Sequence, residues 1–338
     1  MRLFVVFLLS ALLATATANG RQAGSAPRVR WGPRTVQWGF FDGASTPILT
    51  IKSGDIVDVE TPLAGSKEME TLGLADYITP EMRELETVTD RFTGANILVG
   101  PIFVEGAEPG DVLEVKILEI GLPDNYAVNV FHPEHGALAK DFPYFRARAV
   151  PLDKIRNVAI PAPGIEIPLH PFFGTMGVAP SRAVGRISDG PPGYYGGNFD
   201  NKHLVAGTTL YIPVQCKGGL FSVGDGHAGQ GDGEVDGTAI EAALTGKLQF
   251  IVRKDMKLAW PRAESPEFVM TMGFDRDLNA AADMAVREMI DYLVSAHHMS
   301  RDDAYMLCSM AVDLTVTQIV DGVKGIHALL PKRIFVSK

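Results

Sequence analysis

One loop concentrates the residues of this chain that could do chemistry. Residues 224–237 read GDGHAGQGDGEVDG, with six glycines, four carboxylates and one histidine. Glycine allows positive φ and a close approach of the backbone to a ligand, at an entropic cost on folding, and a plain turn needs only one or two glycines. Carboxylates and imidazole are also common ligands of divalent metal ions. The composition therefore predicts a functional site, with an elaborate turn as the alternative.

Asp225 and His227 are the strongest candidates for metal ligands. They stand two residues apart, so in an extended segment both side chains lie on one side and reach the same ion. Asp200 is the next candidate, because the glycine turn at residues 196–197 exposes it. A bound ion with an open position would lower the pKa of a water molecule and polarise a carbonyl group. These residues therefore predict hydrolysis at a metal ion.

Hydrolysis also needs a carboxyl group that moves a proton to the leaving group. Glu105, Glu234 and Glu241 are the candidates for this catalytic role, and the sequence does not rank them. For Glu105 the alternative is a role in shaping a turn.

Other chemistries fit the loop poorly. Gly224, Gly226 and Gly229 have the spacing of a dinucleotide fingerprint, but the glycines that follow would not start the helix that this motif requires. A helix-loop-helix calcium site needs glycine at the sixth position from Asp225, where this chain has Gln230. Neither cysteine stands in a recognisable nucleophile motif.

The elements that must position these residues are mostly strands. Segments with β-branched, aromatic and alternating residues, separated by glycine and proline turns, dominate residues 31–260. Apolar residues at helical spacing predict a helix over 277–296, and Ser300 with Asp303 predicts the start of a second helix over 302–311. Strands followed by helices indicate a β-rich or α+β protein.

The net charge and the N-terminal sequence limit the partners and the cellular compartment that we expect for this protein. Its net charge of −9 argues against nucleic acid and against anionic membrane surfaces. Residues 1–18 have the positive start, the apolar run and the A-x-A site of a signal peptide, which predicts a secreted or periplasmic protein, with no membrane partner after cleavage. Residues 19–30 are predicted as a flexible lead-in to a domain over 31–338. Cys216 and Cys308 are interpreted as buried thiols, with a disulfide bridge as the alternative.

The glycine-rich loop resembles the signature of the acetamidase/formamidase family. The resemblance extends over nearly all of the chain after the signal, through further motifs in the same order at residues 47–55, 100–111, 172–180, 196–200 and 321–328. It implies a mainly β fold, a jelly-roll-like β-sandwich with added α-helices near the C-terminus. It also implies hydrolysis of a short linear amide to a carboxylate and ammonia, a divalent metal such as zinc or calcium, and a homo-oligomer. Transferred position by position, the metal ligands are Asp200, Asp225 and His227.

Two departures from the family pattern bear on activity. Relatives carry histidine at two positions where this chain has Gln37 and Asn96. If either histidine holds metal or substrate, the activity here is altered. The alternatives to an amidase are therefore a non-catalytic, metal-stabilised binding or structural protein, and a metal-dependent hydrolase of another bond.

Overall fold

The computed structural model describes residues 26–336. The predicted signal peptide and residues 19–25 of the predicted lead-in lie outside the described residues. The last part of that lead-in, Arg28–Arg30, forms a strand that pairs in parallel with the strand Ile56–Thr61.

The described chain contains twenty-one strands and four α-helices. The strands are β1 (Arg28–Arg30), β2 (Val36–Trp38), β3 (Phe40–Phe41), β4 (Leu49–Lys52), β5 (Ile56–Thr61), β6 (Ile97–Glu105), β7 (Val112–Gly121), β8 (Tyr126–Phe131), β9 (Arg146–Asp153), β10 (Val158–Ala162), β11 (Ile165–Pro168), β12 (Phe172–Val178), β13 (Ile187–Ser188), β14 (Gly196–Asn198), β15 (Thr209–Pro213), β16 (Phe221–His227), β17 (Leu244–Arg253), β18 (Arg262–Glu264), β19 (Phe268–Asp275), β20 (Asp313–Gln318) and β21 (Lys324–Pro331). The α-helices are α1 (Ser66–Thr71), α2 (Pro80–Leu85), α3 (Leu278–His297) and α4 (Arg301–Ala311), with short 3-10 helices at Ala75–Tyr77 and Lys332–Ile334.

Two large sheets face each other across the main core. The first has nine strands in the order β1-β5-β17-β7-β15-β18-β19-β21-β20, and the second has the order β14-β12-β16-β6-β2 with β4 added beside β6. The core between them takes apolar side chains from both sheets, such as Val115, Leu248, Ile102 and Phe221. Strands β5 and β17 alternate between buried and less buried positions, because one face of each packs on this core. The predicted mainly β sandwich is confirmed.

The two predicted C-terminal helices are confirmed. Helix α3 begins after Asp277, whose carboxylate accepts hydrogen bonds from two backbone N–H groups of the first turn, and α4 begins after Ser300, whose hydroxyl accepts from Asp303 N. The apolar stripe of α3 packs on β19 and β21. Gly273 in β19 permits this close approach, because a Cβ there would overlap the carbonyl oxygen of Ala281.

Helices α1 and α2 lie beside β8 and cover one end of the sandwich. Met69 from α1 and Met82 from α2 form a small core with Val128 and Val130 of β8. Strand β8 is also the edge of a four-stranded sheet, in the order β11-β10-β9-β8. Strand β8 therefore contacts helices α1 and α2 through its side chains. Its Val128 also pairs through the backbone with Glu241.

Both cysteines are free and buried, as interpreted from the sequence, so they do not form the alternative disulfide. Among the helices of residues 26–336, none is long and apolar enough to cross a membrane.

Candidate metal centre

The end of β16 brings Asp225 and His227 together. This strand pairs with β12, and His227 lies opposite Phe172, whose ring meets the imidazole edge-on at 4.9 Å. Because side chains alternate along a strand, residues two apart share a face, and His227 Nε2 lies 3.4 Å from Asp225 Oδ1. The structure thus brings the two first-choice ligands side by side.

Glu241 joins this pair through backbone pairing. It forms an antiparallel bridge with His227 and exchanges two backbone hydrogen bonds with Val128 of β8. Its Oε2 lies 3.3 Å from His227 Nε2, and its Oε1 accepts a hydrogen bond from Ala239 N at 2.6 Å. One carboxylate oxygen is therefore held by the backbone while the other faces the imidazole.

Asp200 reaches the same imidazole from the turn after β14. Its Oδ1 lies 4.0 Å from His227 Nε2, and its Oδ2 accepts a hydrogen bond from Asn198 Nδ2 at 2.7 Å. The Oδ1 atom is buried and has no hydrogen-bond partner among residues 26–336. A buried oxygen without a partner is costly, so this atom is available for a ligand.

Glu234 and Asp321 complete the acidic cluster. Glu234 is buried and groups with Asp200 and His227, with ligand atoms within 4.8 Å of one another; a second such group is Asp225, His227 and Glu241. The side-chain amide of Asn198 also donates to Asp321 Oδ2 at 3.2 Å.

Three of the carboxylate residues adopt left-handed backbone conformations. The φ angles are 48° for Asp200, 57° for Asp225 and 44° for Glu234. Such conformations cost about 1–3 kcal/mol each for residues other than glycine and concentrate at functional sites. These three backbone conformations therefore lower the stability of the fold while they direct the carboxylates at one point.

The cluster fits a divalent cation. One imidazole nitrogen and several carboxylate oxygens form a donor set that suits zinc, and the carboxylate oxygens alone are of the kind that calcium takes. A Cβ on Gly174 of β12 would overlap Asp225 Oδ2 and lie 2.6 Å from Asp200 Oδ1 and 2.9 Å from His227 Cε1, so this glycine leaves room for the ligand atoms. A cation would also satisfy Asp200 Oδ1, the buried oxygen that has no hydrogen-bond partner among residues 26–336. These residues could hold a metal ion.

The charges of the cluster compensate only in part. Burial, together with neighbouring carboxylates, raises the pKa of Asp200 and of Glu234 well above the usual range. Burial alone would raise the pKa of Asp225, but the His227 imidazolium and its hydrogen bond outweigh it and lower that pKa. Burial likewise opposes the charge of His227, but Glu241 and Asp225 raise its pKa well above the ordinary value. A cation bound to the cluster would favour the deprotonated forms of these groups.

A second layer of polar side chains holds the ligands. Thr175 Oγ1 donates a hydrogen bond to Asn198 Oδ1 and lies 3.3 Å from Asp225 Oδ2. Asn96 Nδ2 lies 3.0 Å from Thr175 Oγ1 and 3.2 Å from Asn198 Oδ1. Of the two departures from the family pattern, Asn96 therefore belongs to the network of the site. Gln37 instead bonds Ser45 and Ser222, at 2.8 and 2.9 Å.

The structure does not bring Glu105 to this cluster. Glu105 is the exposed last residue of β6, opposite Lys52 of β4, whereas the site adjoins the first residues of that strand. Eight residues of extended strand separate it from Ile97, which corresponds to roughly 25 Å. Within the part of the chain that the structure describes, Glu105 joins neither group of possible ligands. Glu234 and Glu241, the other two predicted proton carriers, both lie in the cluster.

The site opens on the side of Asp225 and Glu241. Their side chains are 13% and 17% exposed, against 1% for His227. Glu68 of α1 is exposed to solvent. Desolvation by the surrounding protein and then the charges of Glu241, Glu86 and Asp225 raise its pKa to about 7.

Sequence reasoning missed several residues of the site. Asp321, Asn198 and Thr175 stand in segments whose family resemblance was recognised, so that resemblance was the available signal, but their local sequence indicates no chemistry. Asp189 is fully buried, and its carboxylate has no hydrogen-bond partner in the described chain. Burial and then the charge of Asp225 raise its pKa to about 8.

The fold and the cluster define a β-sandwich protein with a buried carboxylate–histidine centre able to bind metal. The family model for the acetamidase/formamidase family matches residues 46–190 and 188–337. The chain belongs to this family.

Known relatives support that assignment. A formamidase from Methylophilus methylotrophus is 32% identical over 196 residues, which cover 42% of this chain and 48% of the relative. The chain spans about half the length of the curated relatives it matches. Among solved structures, an acetamidase from Bacillus halodurans is 33% identical, with a TM-score of 0.78, and the match covers 91% of this chain and 98% of that chain. A predicted acetamidase/formamidase from Thermoanaerobacter tengcongensis is 29% identical, with a TM-score of 0.78 and coverage of 92% and 97%.

Proposed function

We propose that this chain is a metal-dependent amidohydrolase that converts short linear amides, of the formamide or acetamide type, to a carboxylate and ammonia. The observation that carries the proposal is the buried cluster, in which His227 Nε2 lies within 4.0 Å of oxygens from Asp200, Asp225 and Glu241. The relatives named formamidase and acetamidase support the substrate class.

Asp200, Asp225 and His227 are the proposed ligands of a divalent cation, either zinc or calcium. The donor set and the unpaired Asp200 oxygen support this assignment. A cation held there supplies Lewis acidity, which acidifies water and polarises an amide carbonyl.

Glu241 and Glu234 are the proposed proton carriers. Glu241 is partly open to solvent and one of its oxygens is fixed by Ala239 N, so the other can accept a proton from the attacking water. Burial raises the pKa of Glu234 well above its usual range, which favours the protonated form that could donate a proton to the leaving nitrogen. The two glutamates thus divide acid and base roles through their different surroundings.

Metal content and ammonia release together test the proposal. Purified protein is analysed for zinc and calcium and assayed with formamide, acetamide and propionamide. The Asp225→Asn and His227→Ala variants are expected to lose both metal and activity. Asp232→Asn is the matched control, because Asp232 stands in the same loop but pairs with Lys202 instead of joining the cluster; it should retain both.

Three outcomes would redirect the assignment. Metal retained in both ligand variants would refute the ligand set. Metal in the parent without turnover of any amide would favour the non-catalytic binding protein. Faster turnover of a matched ester than of the amide would favour hydrolysis of another bond.

The surface and the N-terminal sequence lead to two accessory proposals. We propose a homo-oligomer, supported by exposed apolar side chains on α4, such as Tyr305 and Met310. Light scattering of the purified protein should give a mass above that of one chain. We also propose export after cleavage behind residue 18, so intact mass spectrometry of the exported protein should place Asn19 at its N-terminus.

A further inference from the structure

The side-chain amide of Gln230 lies between two groups of the metal centre. Its Nε2 donates a hydrogen bond to the backbone carbonyl oxygen of Asp200 at 2.7 Å. Its Oε1 lies 3.0 Å from Nδ1 of His227. Gln230 stands three residues after His227 and is partly buried.

The orientation of this amide follows from the carbonyl groups around it. A backbone carbonyl oxygen only accepts hydrogen bonds, so the amide atom beside Asp200 O must be the nitrogen. The carbonyl oxygen of Thr317, 3.5 Å from the same amide nitrogen, requires the same orientation. A flipped amide would place oxygen against oxygen at both positions. The atom that faces His227 is therefore Oε1.

The amide orientation in turn decides the state of the imidazole. An amide oxygen cannot donate, so Nδ1 of His227 must carry the proton of this hydrogen bond. In the neutral ring, which is the form that binds a cation, the free electron pair is then on Nε2. That nitrogen faces Asp225 Oδ1 and Glu241 Oε2, at 3.4 and 3.3 Å, where a cation would bind.

We propose that Gln230 is a positioning residue that fixes the Nδ1–H tautomer of His227 and ties the imidazole to the backbone of Asp200. The inference rests on the metal dependence in the proposed function. Gln230 holds the backbone of Asp200 at the residue whose φ is left-handed, so one side chain orients two proposed ligands. Partners of this kind typically contribute a factor of about 10–100 to metal affinity.

The test uses zinc as the probe and two matched variants. Gln230→Met keeps the length of the side chain and removes both hydrogen bonds; zinc affinity, measured by calorimetry, should fall about 10–100-fold. Gln37→Met is the control, because Gln37 is a buried amide that also makes two hydrogen bonds, but with Ser45 and Ser222. Its zinc affinity should stay within about 2-fold of the parent.

Long-range ¹H–¹⁵N spectra of the zinc-loaded chain provide a direct readout. The signal of His227, identified by its loss in His227→Ala, should show zinc on Nε2 and a proton on Nδ1. Zinc bound through Nδ1, or an unchanged affinity in Gln230→Met, would overturn the inference. Neither readout needs amide turnover, so an inactive parent with these results would refute the proposed hydrolysis and leave the role of Gln230 standing.

Discussion

Gly174→Ala should disable the metal centre with little change elsewhere. The φ angle of Gly174 lies outside the left-handed region, so an alanine backbone is allowed there and the effect is purely steric. The new Cβ would overlap Asp225 Oδ2, with Asp200 Oδ1 at 2.6 Å and His227 Cε1 at 2.9 Å. Strand β12 is held between β14 and β16, so the side chains must move by roughly 1 Å, a displacement that can cost about 100-fold in activity.

The expected magnitudes separate site damage from loss of stability. Metal–ligand distances tolerate about 0.2 Å, so zinc affinity should fall at least about 100-fold, or about 2.7 kcal/mol. Overpacking typically costs about 1–3 kcal/mol, so the metal-free variant should still fold, with a melting temperature a few degrees lower. Calorimetric titration with zinc, ammonia release from acetamide and thermal unfolding measure the three quantities.

Gly231→Ala is the matched control. Gly231 stands in the glycine-rich loop, has no positive φ, and a Cβ there would meet no described atom within 4 Å. This variant should bind zinc as the parent does and gain up to about 1 kcal/mol through the unfolded state. Parent-like zinc affinity in Gly174→Ala would refute the argument that this glycine makes room for the ligands.

The remaining predictions concern protons and the polar network. Zinc affinity should rise with pH, because the cation binds the deprotonated forms of His227 and of the buried carboxyl groups, whose pKa values are raised. Calorimetry in buffers of different ionisation enthalpy counts the protons released, and a pH-independent affinity would contradict this coupling. Because burial raises the pKa of Asp189 from 3.8 to about 8, its unfolded form ionises first and parent stability falls with rising pH across that window, by at most about 1.4 kcal/mol per unit. The melting temperature of Asp189→Asn relative to the parent should therefore increase with pH over that range, and a constant difference would contradict the shift. Asn96→Ala should lower zinc affinity about 10-fold. Gln37→Ala, which also loses two hydrogen bonds, should reduce only the stability of the protein. Equal zinc affinities in the two variants would show that Asn96 does not support the site.

Local sequence was sufficient where the physics is local. The spacing of two residues put Asp225 and His227 on one face because a strand alternates its side chains. Helix α3 was readable from the helical spacing of its apolar residues, and the start of α4 was readable because Ser300 accepts a hydrogen bond from a backbone N–H group three residues further on. The alternation of apolar residues likewise determined the mainly β class.

The completed site depends on contacts between distant parts of the chain. Thr175 meets Asp225 across 50 positions, and Asn198 meets Asp321 across 123. Register decides such contacts, and no short segment encodes register. Glu105 was grouped with the other glutamates because the sequence did not rank them, while the structure places it at the exposed end of β6, away from the cluster.

The sequence by itself determined the family, the β-rich class and the first pair of candidate ligands, because these follow from composition, spacing and motif order. Only the tertiary structure decided which glutamates face His227, that Asn96 and not Gln37 joins the network, and which way the Gln230 amide points. Each of these depends on hydrogen bonds or distances between strands that pair over long separations, where direction and register place the atoms.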